Sequence, residues 1–153
     1  MISIRPARKD EIQKLQDLND QVFVHNSEYD PDIKIDWAQS PVGKSYFTEV
    51  VNNPEEICLI AEENDIPVGY IAAGPKEFDY RNSKYIEIEN MGVSPEHRSK
   101  GIGAQLIKKI IELAKEKGYQ KVFVNSYSGN TKAVEFYERN GFNKIDISLE
   151  KSI

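Results

Sequence analysis

Apolar positions along this chain recur with one of two periods, and the switches between them mark out the elements. Ile2 and Ile4 flank Ser3 and predict a short first strand, stopped by Pro6. Behind Asp10, a suitable N-cap, Ile12, Leu15, Leu18 and Val22 recur at helical spacing and predict a helix to near Val24. From His25 to Gly43 neither period holds. Pro31, Pro41, Gly43 and several acids predict loop there, with Tyr29 and Trp37 placed to anchor it on the core or to cover a binding site. Lys44 to Val51 reads as a second short helix, with Tyr46, Phe47, Val50 and Val51 as its apolar side.

Ile57–Ala61 and Val68–Ala73 are apolar runs joined by the polar turn Glu63-Asn64-Asp65, which predicts an antiparallel hairpin stopped at Gly74-Pro75. After a polar loop from Lys76 to Ser83, Lys84–Val93 reads as a fourth strand. Leu106, Ile107, Ile110, Ile111 and Ala114 then line one face of a helix ended by Gly118. Val122–Val124 predicts a fifth, buried strand. Asn130 caps a helix carrying Ala133, Val134, Phe136 and Tyr137 and ending at Gly141. Ile145, Ile147 and Leu149 alternate with Asp146, Ser148 and Glu150 as a last strand with one wet face. The order predicts an α+β (mixed α/β) fold, with a central mixed, mostly antiparallel sheet and helices on both faces, as one domain over residues 1–153.

Composition narrows the classes. A net charge of −5 argues against a general nucleic-acid binder, since phosphate neutralisation needs a basic face. With one cysteine, Cys58, no intramolecular disulfide forms, and its place in the apolar run Ile57–Ile60 reads as a buried structural thiol. His25 and His97 are the only histidines, so no metal-ligand cluster is expected. No apolar run approaches membrane-spanning length and the start is unlike a signal peptide, which together predict a cytoplasmic protein without membrane contact.

The candidate chemistry centres on Asn90–Ala104, where the fourth strand turns into the long helix. Two glycines let the backbone wrap a ligand closely, and the unpaired N–H groups and partial positive charge of a helix start suit a phosphate. The Walker A pattern fails, because Lys100 precedes Gly101 and no Ser or Thr follows Gly103. The dinucleotide fingerprint fails because its third glycine position is Leu106. What remains, Arg98-x-x-Gly101-x-Gly103, resembles the acyl-CoA signature of the GNAT superfamily of N-acyltransferases. A second block, from Asn130 through Ala133, Phe136 and Tyr137 to Gly141-Phe142, is similar to that family's Asn-x-x-Ala-x-x-Phe/Leu-Tyr-x-x-x-Gly-Phe, and the element order agrees.

The resemblance implies an acetyl-CoA-dependent N-acetyltransferase acting on a primary amine of a small molecule or peptide, by direct attack in a ternary complex and without a metal. The alternative is an acyl-CoA-binding module with little catalysis. Acetyl-CoA would lie between splayed fourth and fifth strands. The backbone of Met91, Gly92 and Val93 would run beside the pantetheine arm, and Arg98, Ser99, Lys100, Gly101, Ile102, Gly103 and Ala104 would hold the pyrophosphate. Asn130, Ala133 and Tyr137 would complete the cofactor site. Tyr137 stands where the family places its general acid, and the Val93 N–H is the expected oxyanion donor. Glu87, preferred as base, and Glu89, acting through water or on a cationic substrate, lie two apart on one strand and are expected on one face. The fifth-strand position that carries a base in other members is Asn125, so attack by an already neutral amine stays open. The first half of the chain would shape the acceptor pocket. A homodimer is left open, with the last strand a candidate edge for pairing.

Overall fold

The computed structural model describes residues 1–153. Its five strands are β1 (Ile2–Pro6), β2 (Ile57–Glu63), β3 (Ile66–Lys76), β4 (Tyr85–Val93) and β5 (Lys121–Val124). They lie side by side in chain order; β1 to β4 are antiparallel and β5 joins β4 in parallel. The helices are α1 (Ile12–Asn26), α2 (Pro41–Asn52), α3 (Ile102–Glu116) and α4 (Thr131–Arg139).

Both faces of the sheet are covered, which is why β2 and β3 read as nearly continuous apolar runs. On one face Cys58, Ile60, Tyr70 and Ala72 meet Leu15 and Leu18 of α1 and Phe47 and Val50 of α2. On the other, Leu59, Ile71, Ile86 and Ile88 meet Leu106, Ile107 and Ile110 of α3, with Phe136 and Tyr137 of α4 against its edge. Each fully buried side chain of this size contributes about 1.5–3 kcal/mol of transfer free energy.

Several boundaries differ from expectation for local reasons. α2 starts earlier, at Pro41, because Ser40 caps it by accepting the Gly43 N–H at 3.2 Å and proline suits the first helical turn. β3 runs on through Gly74-Pro75 to Lys76, since β4 pairs with it that far. The largest correction concerns residues 143–153, which form no strand. The alternation of Ile145, Ile147 and Leu149 is a strand pattern, but no neighbouring strand bonds to it within the chain, and a strand needs a ladder. Trp37 anchors its loop, one of the two roles open to it, stacked on Phe23 with ring centroids 5.1 Å apart and leaning on Tyr46.

Two features of β4 shape the gap beside it. Ala72 of β3 pairs with Asn90 while Ala73 pairs with Ile88, so Glu89 is an extra residue in a β-bulge. The bulge resets the alternation: Ile86 and Ile88 face α3 before it, and Met91 and Val93 face α3 after it. The second feature is length. β5 accompanies β4 only from Tyr85 to Ile88, so Glu89 to Val93 have no strand on that side and a gap opens between the two.

Candidate active site

At the upper end of the gap the chain turns into α3. Ser99 (φ 63°) and Gly101 (φ 78°) both adopt the left-handed conformation, which directs successive N–H groups to one side. Arg98 N–H donates to Pro95 O and Gln105 N–H to Gly101 O, but from Ser99 to Ala104 no backbone N–H has a protein acceptor. Gly103 leaves room beside this row: a Cβ there would lie 3.0 Å from the Phe136 ring of α4. The exposed Lys100 has no ion-pair partner, and Arg98 folds back so that its Nε donates to Val93 O at 3.0 Å. His97 turns away from the turn, with Nε2 3.1 Å from a Glu63 carboxylate oxygen.

Along the gap, backbone direction follows from the ladder. Ser94 N–H donates to Val68 O at 2.8 Å, and antiparallel pairs alternate, so Gly92 and Asn90 bond towards β3 while Met91 and Val93 turn their polar groups to the open side. Val93 O is taken by Arg98, which leaves its N–H free there. Gly92 meets a packing demand: any side chain on it would run into Val22 of α1 and the Tyr70 ring.

The lower part of the gap carries the titratable groups. Glu87 lies 3.7 Å from Lys76 Nζ as an ion pair. Half-buried Glu89 accepts a hydrogen bond from Tyr46 Oη at 3.2 Å. Burial pushes its carboxyl above the usual range, the Tyr46 bond opposes this and the Glu87 charge adds to it. Behind them, the fully buried Asn19 donates to Tyr70 Oη at 2.6 Å and to Asn90 Oδ1 at 3.1 Å. Tyr137 is held on the α3 side between Phe136 and Phe142, at ring-centroid distances of 5.3 and 5.5 Å. Its hydroxyl makes no hydrogen bond to the protein, and burial raises it to about 12. Asn130 caps α4 by accepting the Ala133 N–H at 3.2 Å, so its amide NH₂ stays available. Asn125 follows the end of β5.

Against known proteins, the sequence profile of the acetyltransferase (GNAT) family matches residues 13–142. The chain belongs to this family. The GNAT chain is 30% identical over 146 residues to an uncharacterized N-acetyltransferase of Methanocaldococcus jannaschii, covering 95% of itself and 62% of that protein. It is 35% identical over 99 residues to the thialysine N-epsilon-acetyltransferase of Sus scrofa, covering 58% of itself and 56% of that protein. It thus spans less than two thirds of the length of either relative. Its fold superposes with a TM-score of 0.76 on AAC(6')-Iy, solved with a bisubstrate analogue of CoA and acetylneamine, at 17% identity over 100% of this chain and 98% of the other. No helix of the GNAT chain is long and apolar enough to cross a membrane.

Three residues beside the gap escape motif reading. Tyr46 looks like one more apolar position of α2. Asn19 is detectable in principle, because it falls on the apolar stripe of α1 with Leu15 and Leu18, where an unpaired amide is costly. Glu56 precedes β2 and rests its carboxylate over Gly74, with Oε2 unpartnered. Burial first, then the charges of Glu89 and Glu49, raise Glu56 to about 7. Its folded value lies above its unfolded one, so its ionisation lowers stability as pH rises through about 7. Glu56→Gln should therefore raise the melting temperature above pH 7 and give no gain below pH 4.5, the ordinary carboxylate value. Thermal melts of both forms across this range check the sign; a gain confined to acid would contradict it.

Proposed function

We propose that the chain transfers an acetyl group from acetyl-CoA to a primary amine by direct attack. The observation that carries this reading is the row of unpaired N–H groups from Ser99 to Ala104 at the head of the gap between β4 and β5. Such a row fits a pyrophosphate, with Arg98 and Lys100 adding charge at its rim. The open polar groups of Met91 and the Val93 N–H fit the pantetheine amides and the thioester carbonyl, and the Asn130 NH₂ fits the arm. Acetyl-CoA supplies a thioester carbonyl open to attack and a thiolate that leaves. Tyr137 is the proton donor to that sulfur, since a hydroxyl held near 12 keeps its proton at any working pH.

For the base we favour Glu89 over Glu87. Glu87 is engaged by Lys76, whereas Glu89 is half-buried with a raised affinity for protons and is oriented by Tyr46. Glu89 draws a proton from the incoming ammonium, directly or through water, so that the neutral amine attacks. The neighbouring Glu49, Glu56 and Glu87 and the thialysine specificity named for the pig relative support a cationic amine as acceptor. An acyl-enzyme is disfavoured, because Cys58 is buried and its thiol pushed up to about 12.

Thiol release with a panel of amines tests the activity, and initial-rate patterns test the order of events. Intersecting lines are expected; parallel lines would require an acyl-enzyme and overturn direct attack. Acetyl-CoA binding without turnover on any amine would leave the binding-module reading. With an active acceptor, kcat/KM of the wild type should fall on acidification along a limb lying above the ordinary carboxylate value, because the base must be unprotonated. Glu89→Gln should lower the rate about 10²-fold and flatten that limb. A limb that survives in Glu89→Gln and vanishes in Glu87→Gln would return the role to Glu87.

A further inference from the structure

The turn from Ser94 to Ile102 is pinned at both ends and thinly held between them. Ser94 N–H donates to Val68 O of β3 at 2.8 Å, and Ile102 is buried in the core at the start of α3. From Pro95 to Lys100 the backbone N–H groups bond only within the turn, His97 to Ser94 O at 2.9 Å and Arg98 to Pro95 O at 3.3 Å. The Arg98 side chain goes no further than Val93 O of β4. Between the two anchors, one polar side-chain contact alone reaches a strand other than β4. His97 Nε2 lies 3.1 Å from a carboxylate oxygen of Glu63, the last residue of β2. The other ring nitrogen, Nδ1, is buried without a hydrogen-bond partner, 3.7 Å from a Glu96 carboxylate oxygen. The imidazole thus sits between two acids, one on its own turn and one across from it.

Both sides of the longer reach are set by rigid backbone. Glu63 pairs with Ile2 of β1 and, across a two-residue hairpin turn, with Ile66 of β3. Asn64 (φ 52°) and Asp65 (φ 64°) are both left-handed, the turn whose twist matches the strands it joins. His97 comes two residues before Ser99, the one residue other than glycine that is left-handed in the β4–α3 turn. A serine in that conformation is sterically strained and persists only where its surroundings hold it. We infer, resting on the acetyl-CoA reading of this turn, that Glu63 and His97 are positioning residues. The Glu63 carboxylate holds the His97 ring to the β2–β3 hairpin and so keeps the free N–H row from Ser99 to Ala104 in its anion-binding shape before the cofactor arrives. Order present in the free protein leaves less to be ordered on binding. Sign separates this role from plain electrostatics. As a bare charge, an acid beside an anion site repels the ligand; as the anchor of His97, Glu63 favours it.

Calorimetric titration with acetyl-CoA tests the assignment through that sign. Glu63→Ala should weaken binding about tenfold, although it removes a negative charge. With an active acceptor, KM for acetyl-CoA should rise by a similar factor while kcat stays within about twofold, because neither residue acts on the reacting atoms. His97→Ala should cost about as much, and adding Glu63→Ala to it should cost nothing more, because the acid acts through the ring. A melting curve for each variant verifies the fold. Unchanged or tighter binding in Glu63→Ala overturns the inference while leaving acetyl-CoA on the turn. A further loss in the double variant overturns it as well, and so does a fall in kcat with KM held. A wild type that binds no acetyl-CoA removes the reading of the turn itself and the positioning role with it.

Discussion

Gly103→Asp should weaken acetyl-CoA binding about a hundredfold or more. The substitution places a carboxylate beside the N–H groups of Gly103 and Ala104, where the ligand brings its own negative charges. Losing two charge-assisted hydrogen bonds, each at the lower bound of about 1.5 kcal/mol, amounts to about 3 kcal/mol, or roughly two decades in affinity. Sterics must be separated from charge, because a Cβ at this position lies 3.0 Å from Phe136 Cζ and 3.3 Å from Cε2. Gly103→Ala carries the same Cβ without the charge. It should cost about tenfold at most, since only the tip of one ring has to shift. Calorimetric titration with acetyl-CoA measures both, and a melting curve verifies the fold. Equal losses in the two variants would make the effect one of packing. Wild-type affinity in Gly103→Asp would move the pyrophosphate away from the start of α3.

Tyr137→Phe should lower kcat by about 10²-fold or more while leaving the KM for acetyl-CoA within about twofold. The variant removes one oxygen and keeps the ring between Phe136 and Phe142, so the packing of α4 survives. The hydroxyl has no protein partner to lose, and no buried donor or acceptor is orphaned by the change. A kcat fall with KM held is the signature of a group acting only in the transition state. Unchanged turnover would remove Tyr137 from the chemistry. A rise in KM with kcat preserved would make it a wall of the cofactor site.

The core and the turn at the head of the gap are legible in the residues; the contacts around Glu89 are not. β2, β3 and α3 announce themselves because burial on both sheet faces demands long apolar runs and helical burial demands a stripe. The turn from Arg98 to Ala104 is legible because a row of free N–H groups needs glycine at fixed spacing. Strict alternation along β4 makes Glu87 and Glu89 look equivalent, and it misses the bulge. The parity change from Ile86 and Ile88 to Met91 and Val93 records that bulge, yet only the pairing with β3 shows which residue is extra. Tyr46 and Glu56 approach Glu89 from α2 and from the start of β2, and contacts across such separations leave no local pattern. The segment after Phe142 shows the opposite limit: its alternation is plain in the sequence, but a strand is defined by what it pairs with.

The bulge at Glu89 also governs how such a chain can diverge. Upstream of it, even-numbered residues face α3 and odd-numbered ones face α1 and α2; downstream, the assignment is exchanged. Point changes at Glu87, Glu89 or Asn90 retune one side and leave the other untouched. Losing a single residue there would do something else entirely, turning Met91 and Val93 towards α1 and Gly92 towards α3 in one step. Substitution along β4 is limited position by position, most tightly at Gly92, whereas a deletion changes every position beyond it at once, so the phase of the strand is kept or lost as a unit.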